Sequence, residues 1–316
     1  MFRMGSTEET PLTARIIKKA FESGFDKAVL ASAHPFFQSG SLLLLAKGYT
    51  PYGPFPKESG VLPGYYPLSH SLHAVTRDLA DWIREQGCPA VPNPAIPLKL
   101  AAYQAGLGVY GKNSLLYVPG YGSFMHLRAI HLGIPFAGEL PVMPSPETTS
   151  PCGECRRCQE ACPTGAIQDS GQVCGPLCLR EVLAGKLPED RPLALKLLSR
   201  ADRMLVGCEI CQRVCPMNQE IQAYPLQVPD ELASLLHLPS MMAESDAAWR
   251  HRIQQLAALL GTNIARPRRL KANAALACST LKEPGDISTR LREYLESPES
   301  QDLPPAFRKY LSGFTG

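Results

Sequence analysis

The chain has 316 residues, of which 45% are hydrophobic, and its formal net charge is +3. This length exceeds one typical domain, so we expect about two or three. No apolar run approaches the roughly 20 residues of a transmembrane helix, which excludes a membrane-spanning role at this stage. The first ten residues contain no apolar signal region, and eleven cysteines without an export signal fit a reducing cytoplasm, where we expect the protein.

The first part of the chain alternates between helix and strand patterns. Residues 69–86 show a 3.6-residue period that places Leu72, Val75, Leu79, Trp82 and Ile83 on one face of a helix, and Gly87 ends it. Further helices are predicted over 12–23 and 98–104, and strands over 26–32, 41–46, 114–118 and 127–132. The alternation predicts a domain of the α/β or α+β class over residues 1–148.

A glycine loop, A-G-L-G-V-Y-G-K-N-S-L-L-Y, begins at Ala105 and separates two of these elements. Gly106, Gly108 and Gly111 allow the backbone to approach a ligand closely, and Lys112 and Asn113 offer hydrogen-bond donors. A strand follows the loop instead of a helix, so the pattern is not that of a dinucleotide site. The alternative interpretation is an ordinary glycine turn with a surface lysine.

Two cysteine runs are the strongest chemical signal in the sequence. The first, C-G-E-C-R-R-C-Q-E-A-C-P, contains Cys152, Cys155, Cys158 and Cys162, and matches the ferredoxin spacing C-x2-C-x2-C-x3-C-P. The second, C-E-I-C-Q-R-V-C-P, contains Cys208, Cys211 and Cys215. In this pattern three thiolates hold one 4Fe–4S cluster and the fourth crosses to the other. The runs therefore predict two neighbouring clusters that transfer single electrons.

The ligand sets follow from the crossing rule. One cluster takes Cys152, Cys155, Cys158 and Cys215; the other takes Cys162, Cys208, Cys211 and an eighth thiolate from Cys174 or Cys178. The alternatives are a disulfide framework, which suits small secreted chains, and a zinc site, which does not need the third and fourth cysteines of the first run. We assign residues 149–222 to a ferredoxin-like double 4Fe–4S domain.

Residues 223–316 are predicted to be a helical C-terminal region. Helices are expected over 247–260, 268–281 and 287–296, and two of them resemble a short α-helical hairpin repeat. Residues 250–316 contain 11 Lys plus Arg and 6 Asp plus Glu, a charge of +5. Arg266, Arg268, Arg269 and Lys271 cluster there. This suits a polyanionic partner, although charge alone favours a solvated helix face.

The order of these motifs resembles the epoxyqueuosine reductase family. The resemblance rests on A-G-L-G-x-x-G-K-N, on G-S-F from Gly122, on C-G-x-C-x-x-C-x-x-x-C-P-T-G-A-I, and on G-C-x-x-C-Q-x-x-C-P-x-N from Gly207. It is sharp over 105–124 and 152–218. It implies a cobalamin-dependent reductase that acts in the last step of queuosine synthesis in tRNA. It also implies ferredoxin or flavodoxin as electron donor, and possible tRNA binding by the C-terminal helices.

The resemblance also assigns residues. A cysteine eleven residues after the isoleucine of P-T-G-A-I is a family ligand, which corresponds to Cys178 and leaves Cys174 as a spare. The glycine loop lies beside the corrinoid in the family, so Gly106, Gly108, Gly111, Lys112 and Asn113 are expected to bind the cofactor.

One departure affects the expected chemistry. The family carries an acidic proton donor about thirteen positions before the alanine of A-G-L-G, whereas this chain has no Asp or Glu from Pro89 to Gln104, and Asn93 is the nearest polar group. The arginine that follows in the family is also missing, with Lys99 in its neighbourhood. A diverged paralogue with another substrate is therefore expected, and Tyr103 is the first alternative donor. The others are Tyr49, Tyr52, Tyr65, Tyr66, Tyr110, His70 and His73.

Three functions remain open from the sequence. The first is reduction of epoxyqueuosine in tRNA, and the second is a similar reduction of a small molecule or another nucleoside. The third is a ferredoxin-like electron carrier with no catalytic role. The length of the chain argues against the carrier, and the missing acid argues against the first function.

Overall fold

A computed structural model describes residues 11–33, 35–136, 151–281 and 285–315. The predicted domain boundary at 148/149 lies outside the described residues. The strands are β1 (Lys27–Ser32), β2 (Ser41–Gly48), β3 (Ala90–Pro92), β4 (Val109–Tyr110), β5 (Leu116–Tyr117) and β6 (Met125–Leu132). The helices of the first part are α1 (Leu12–Glu22), α2 (Tyr65–Glu85) and α3 (Leu98–Gln104).

The N-terminal part is built around a four-stranded sheet in the order β1-β2-β6-β3. Each pair of neighbouring strands is antiparallel, so α+β describes this part better than α/β. Strand β2 is apolar because both faces are covered. Leu43 and Leu45 pack with α1 and α2, whereas Leu42 and Leu44 pack with α3. The predicted buried strand is confirmed and extends to Gly48.

Two sequence predictions for this part need correction. The strand expected over 114–118 is limited to Leu116–Tyr117, which pairs with Val109–Tyr110 in a small separate hairpin. Helix α2 begins at Tyr65, earlier than position 69, because Pro67 lies in its first turn, where its missing N–H is tolerated. On its predicted apolar face, Leu72, Leu79 and Ile83 are buried.

The cysteine-rich part contains only short helices between its loops. These are α4 (Arg157–Glu160), α5 (Leu179–Leu183), α6 (Arg191–Leu198) and α7 (Ile210–Arg213). Helices α4 and α7 lie at the same place in the two cysteine runs and contact each other. The runs therefore fold as two similar turns placed side by side.

The remaining helices form the C-terminal part. They are α8 (Asp230–Leu235), α9 (Leu238–Ala243), α10 (Asp246–Leu260), α11 (Pro267–Cys278), α12 (Gly285–Glu296) and α13 (Pro305–Ser312). Their core continues into Phe55, Leu62 and Val182 of the earlier parts. Asn273 on α11 is buried and donates to the carbonyl oxygens of Leu183 and Leu205 at 3.0 and 2.8 Å, which fixes α11 against the cysteine-rich part. Among the described helices, none is long and apolar enough to cross a membrane.

Candidate iron–sulfur site and adjoining cavity

The predicted cysteine ligands lie close to one another, and we divide them into two groups by their predicted ligand sets. Burial raises the pKa of Cys158, and the nearby thiols of Cys152, Cys215 and Cys155 raise it further. Burial raises the pKa of Cys208 to about 11, with further contributions from Cys178 and Cys162. Burial likewise raises the pKa of Cys211 to about 12. Cys158 thus has thiols of its own predicted set nearby and Cys208 has Cys178 and Cys162, whereas Cys211 is also influenced by Cys158 of the other set. The division of the ligands between two clusters stays a prediction.

We name these groups by their position. The inner group comprises Cys162, Cys178, Cys208 and Cys211, all of which line a cavity of about 360 Å³. The outer group comprises Cys152, Cys155, Cys158 and Cys215. Cys174 is not among the described residues that line this cavity, and its backbone N–H donates to the Ala166 oxygen at 2.8 Å.

All eleven cysteines are described and none forms a disulfide. Within the described ranges, no three His, Cys, Asp or Glu side chains converge closely enough to hold a single metal ion. A mononuclear zinc site needs its ligands about 2.0–2.3 Å from one ion, whereas a cubane places an iron–sulfur core between its thiolates. The spacing C-x2-C-x2-C-x3-C-P of the first run fits a cluster better than a zinc ion.

Three of the predicted ligand sulfurs receive hydrogen bonds. The backbone N–H of Ala166 donates to Cys162 Sγ at 3.3 Å, and that of Lys112 donates to Cys152 Sγ at 3.4 Å. The Tyr117 hydroxyl donates to Cys215 Sγ at 3.2 Å. Such bonds stabilise the negative charge of thiolate ligands.

The opposite wall of the cavity comes from the N-terminal part. Tyr49, Tyr65 and Tyr66 line it, together with Asn113 and Ser114 from the glycine loop. Three of the alternative proton donors proposed from the sequence thus face the cavity. Tyr103 does not belong to the described cavity lining; its ring packs against Tyr110 with centroids 5.4 Å apart.

A buried carboxyl group on the cavity wall was missed by the sequence analysis. Glu209, between two inner-group cysteines, is 7% exposed and lines the cavity. The Tyr49 hydroxyl donates to its Oε1 at 3.3 Å, and Arg213 contacts its Oε2 at 2.9 Å. Burial raises the pKa of Glu209 above its ordinary value, although Arg213 opposes the shift. The only signal for it in the sequence was an acidic residue between two predicted ligand cysteines.

Asn93 lies apart from the described cavity lining. Its φ of +52° is in the left-handed region, which Asn tolerates better than most residues. Its Oδ1 accepts a hydrogen bond from Arg128 at 3.2 Å, and its buried Nδ2 has no hydrogen-bond partner among the described residues. An arginine from β6 therefore contacts Asn93, the polar group nearest to the expected position of the acid.

Most of the glycine-loop residues that were predicted to bind the cofactor contact other residues of the chain. A Cβ atom at Gly108 would lie 2.4 Å from the Tyr117 carbonyl oxygen, and one at Gly111 would lie 2.6 Å from its ring. Gly106 has a φ of +72° at the turn after α3. Asn113 lines the cavity and is held by Tyr117, whereas Lys112 binds the first cysteine loop. Corrinoid binding by these residues stays a prediction.

Fewer basic side chains in and next to α11 are available at the surface than the sequence suggests. Lys271 is buried, lies 4.6 Å from the Trp249 ring and donates to the Met241 oxygen. Arg268 is paired with Asp302. The expectation that Lys271 is available to a polyanion is therefore wrong, because its amine is used inside the helical core.

A second cavity, of about 260 Å³, lies between the cysteine-rich and C-terminal parts. Arg180, Lys186 and Arg269 line it, with Glu181 as the acidic side chain. Glu181 contacts Lys186 at 2.6 Å and Arg180 at 3.3 Å. Arg180 and Tyr66 also line the first cavity, so the two cavities share a wall.

Comparison with known proteins agrees with the cysteine pattern. Residues 151–218 match the family model described as a 4Fe-4S double cluster binding domain. This match supports two 4Fe–4S clusters in the chain.

Curated relatives are named epoxyqueuosine reductase. The protein of Bacillus subtilis (strain 168) is 31% identical over 159 residues, which is 49% of this chain and 38% of the relative. That of Synechococcus sp. (strain RCC307) is 32% identical over 186 residues, covering 56% of this chain and 54% of the relative. The chain thus spans about half or less of the length of these relatives.

Solved structures extend the likeness in fold. A selenomethionine-labelled epoxyqueuosine reductase matches with a TM-score of 0.75 and 20% identity, covering 96% of this chain and 90% of that one. An epoxyqueuosine reductase crystallised with an epoxyqueuosine-modified tRNA stem loop matches with a TM-score of 0.73 and 19% identity, covering 96% and 89%. The chain therefore resembles epoxyqueuosine reductases, in sequence over about half its length and in fold over nearly all of it.

Proposed function

We propose that this protein is an iron–sulfur reductase in which electrons pass from the outer group to the inner group and then to a ligand in the adjoining cavity. The observation that supports this most strongly is that all four cysteines of the inner group line the cavity. The opposite wall is aromatic and mostly apolar. A largely apolar cavity with a few convergent polar groups is typical of a binding site, and an electron carrier has no need of one.

The ligand sets belong to this proposal. Cys152, Cys155, Cys158 and Cys215 hold the outer cluster, and Cys162, Cys178, Cys208 and Cys211 hold the inner one. Cys178 is preferred to Cys174 because it lines the cavity with the other three inner cysteines. The division into 1–148, 149–222 and 223–316 remains part of the proposal.

The cofactor in the cavity is proposed to be a corrinoid, by resemblance to the relatives. The apolar and aromatic lining fits a large organic cofactor, and Asn113, Ser114, Leu115 and Leu116 are the glycine-loop residues that would contact it. When bound, it would supply low-valent cobalt for reductive cleavage of a C–O or C–X bond. The chain itself supplies the dry wall, the neighbouring cluster and tyrosine hydroxyls as proton donors.

The substrate is proposed to be epoxyqueuosine in tRNA or a related compound. One similar structure contains an epoxyqueuosine-modified stem loop, and the second cavity offers this chain a cationic site next to the first. Its three basic side chains and one acidic side chain favour a phosphate group. A different small molecule is the second candidate, supported by the asparagine at position 93.

The test is anaerobic reconstitution with iron and sulfide, with and without cobalamin, followed by metal analysis and electron paramagnetic resonance. We expect about eight iron atoms per chain and a cob(II)alamin signal that changes on binding. Iron without any cobalamin binding at tens of micromolar cofactor would support the electron carrier. A single-turnover assay on epoxyqueuosine-containing tRNA then distinguishes between the two candidate substrates. The assay compares the wild type with the Asn93→Asp variant. Conversion only by the variant would indicate a different natural substrate.

A further inference from the structure

The hydrogen bond between Tyr117 and Cys215 joins the glycine loop to a ligand of the outer cluster. The hydroxyl lies 3.2 Å from Sγ, the tyrosine is 2% exposed, and the two residues are 98 positions apart in the chain. Asn113 Nδ2 donates to the same hydroxyl oxygen at 2.9 Å. An iron-bound cysteine is a thiolate and can only accept. The tyrosine proton therefore points to the sulfur.

The surrounding loop holds this tyrosine in place. Gly108 and Gly111 leave no room for a side chain because the Tyr117 backbone and ring fill that space. Asn113 is fixed in turn, since its Oδ1 accepts from the Leu115 N–H at 3.3 Å and its Nδ2 lies 3.4 Å from the Cys211 oxygen. The close backbone approach that the glycines permit is thus used to seat Tyr117 against the cluster loop.

We propose that Tyr117 sets the reduction potential of the outer cluster through this hydrogen bond. A donor to a ligating sulfur stabilises the more negative, reduced state and so raises the potential. In a buried site the effect is larger than in water. The proposal rests on the outer ligand set given above, but not on the corrinoid or on the substrate.

The test is a redox titration of the reconstituted Tyr117→Phe protein, followed by electron paramagnetic resonance without cobalamin or substrate. One cluster should become several-fold to tenfold harder to reduce, where tenfold equals about 59 mV for one electron. The other cluster should not change. The matched control is Tyr121→Phe, in the turn that follows β5, whose ring faces Lys27 instead of a cysteine. This control should leave both potentials unchanged.

Iron content decides whether the variant can be interpreted. If Tyr117→Phe loses a cluster, a tyrosine fluorinated beside the hydroxyl is placed at position 117, because it keeps the shape and donates more strongly. That protein should show an upward shift of one potential. Unchanged potentials in a variant that keeps its iron, or equal shifts of both clusters, would overturn the proposal. Failure of corrinoid binding or of turnover would not alter this measurement.

Discussion

Lys112 is hydrogen-bonded to Gly153 of the first cysteine run: its Nζ donates to the Gly153 carbonyl oxygen at 2.6 Å. The same amine donates to the Cys155 oxygen at 3.2 Å, and the Lys112 backbone N–H donates to Cys152 Sγ. The lysine of the glycine loop therefore holds the loop that carries Cys152 and Cys155, two proposed ligands of the outer cluster. Its geometry favours a structural role in cluster retention.

The corresponding prediction concerns Lys112→Met, which keeps the alkyl chain and removes both side-chain hydrogen bonds. Hydrogen bonds to a charged group contribute about 1.5–3 kcal/mol when buried and less when partly exposed, as here. A chelator should therefore bleach the reconstituted variant several-fold faster than the wild type. The control is Lys47→Met, whose amine pairs with Asp26 at 3.0 Å. Unchanged bleaching together with weaker cobalamin binding would support the cofactor role instead.

The eighth ligand can be tested by single substitutions. Cys178→Ala should reduce the iron content from about eight to about four atoms per chain, because it removes one ligand of the inner cluster. Cys174→Ala should retain about eight. The measurements are iron and sulfide analysis and the spectrum of the reduced protein. The reverse pattern would show that Cys174 is the ligand.

Tyr49 is expected to be the proton donor of the cavity. Burial raises its pKa well above the ordinary value, and the charge of Glu209 raises it further, so the hydroxyl stays protonated at neutral pH. Tyr49→Phe should lower single-turnover reduction of the accepted substrate by roughly 10²–10⁴-fold and leave both clusters in place. The matched control is Tyr294→Phe, a buried tyrosine in the C-terminal core whose hydroxyl has no hydrogen-bond partner among the described residues. Equal rates in Tyr49→Phe and wild type would show that Tyr49 is not the proton donor, and Tyr65 would then be the next candidate.

His126 should make the stability of the N-terminal part depend on pH. Burial lowers its pKa to about 3, assisted by the charge of Arg128, while the unfolded value is near 6.5. The unfolded chain therefore binds this proton first as the pH falls. The contribution of neutral His126 to the free energy of unfolding is fully present above about pH 6.5. It falls by about 1.4 kcal/mol per pH unit as the pH is lowered towards 3.

The measurement for His126 is anaerobic denaturant unfolding at pH 7.5 and pH 5.5, with His126→Phe as the comparison. The phenylalanine can keep the stacking against Tyr65, whose ring centroid lies 4.5 Å away. The variant should lose less stability between the two pH values than the wild type. An identical loss in both proteins would mean that His126 is not the titrating group.

The sequence alone determined the cysteine chemistry and the main local elements. Ligand spacing within each run is a local property, because one short turn must present several thiolates to the same cluster. The period of α2 and the apolar run of β2 are also local, and the structure confirms both. Strand β3 was missed because it has only three residues, ends in a proline and pairs on one side, which an edge strand tolerates.

Only the tertiary structure decided which residues meet at the site. Tyr49 and Glu209 are 160 positions apart, and no local pattern links them. Lys271 looked like part of a basic surface, yet packing of α11 against α9 buries it over Trp249. Contacts of this kind depend on how separate elements pack, and periodicity and spacing carry no information about that packing.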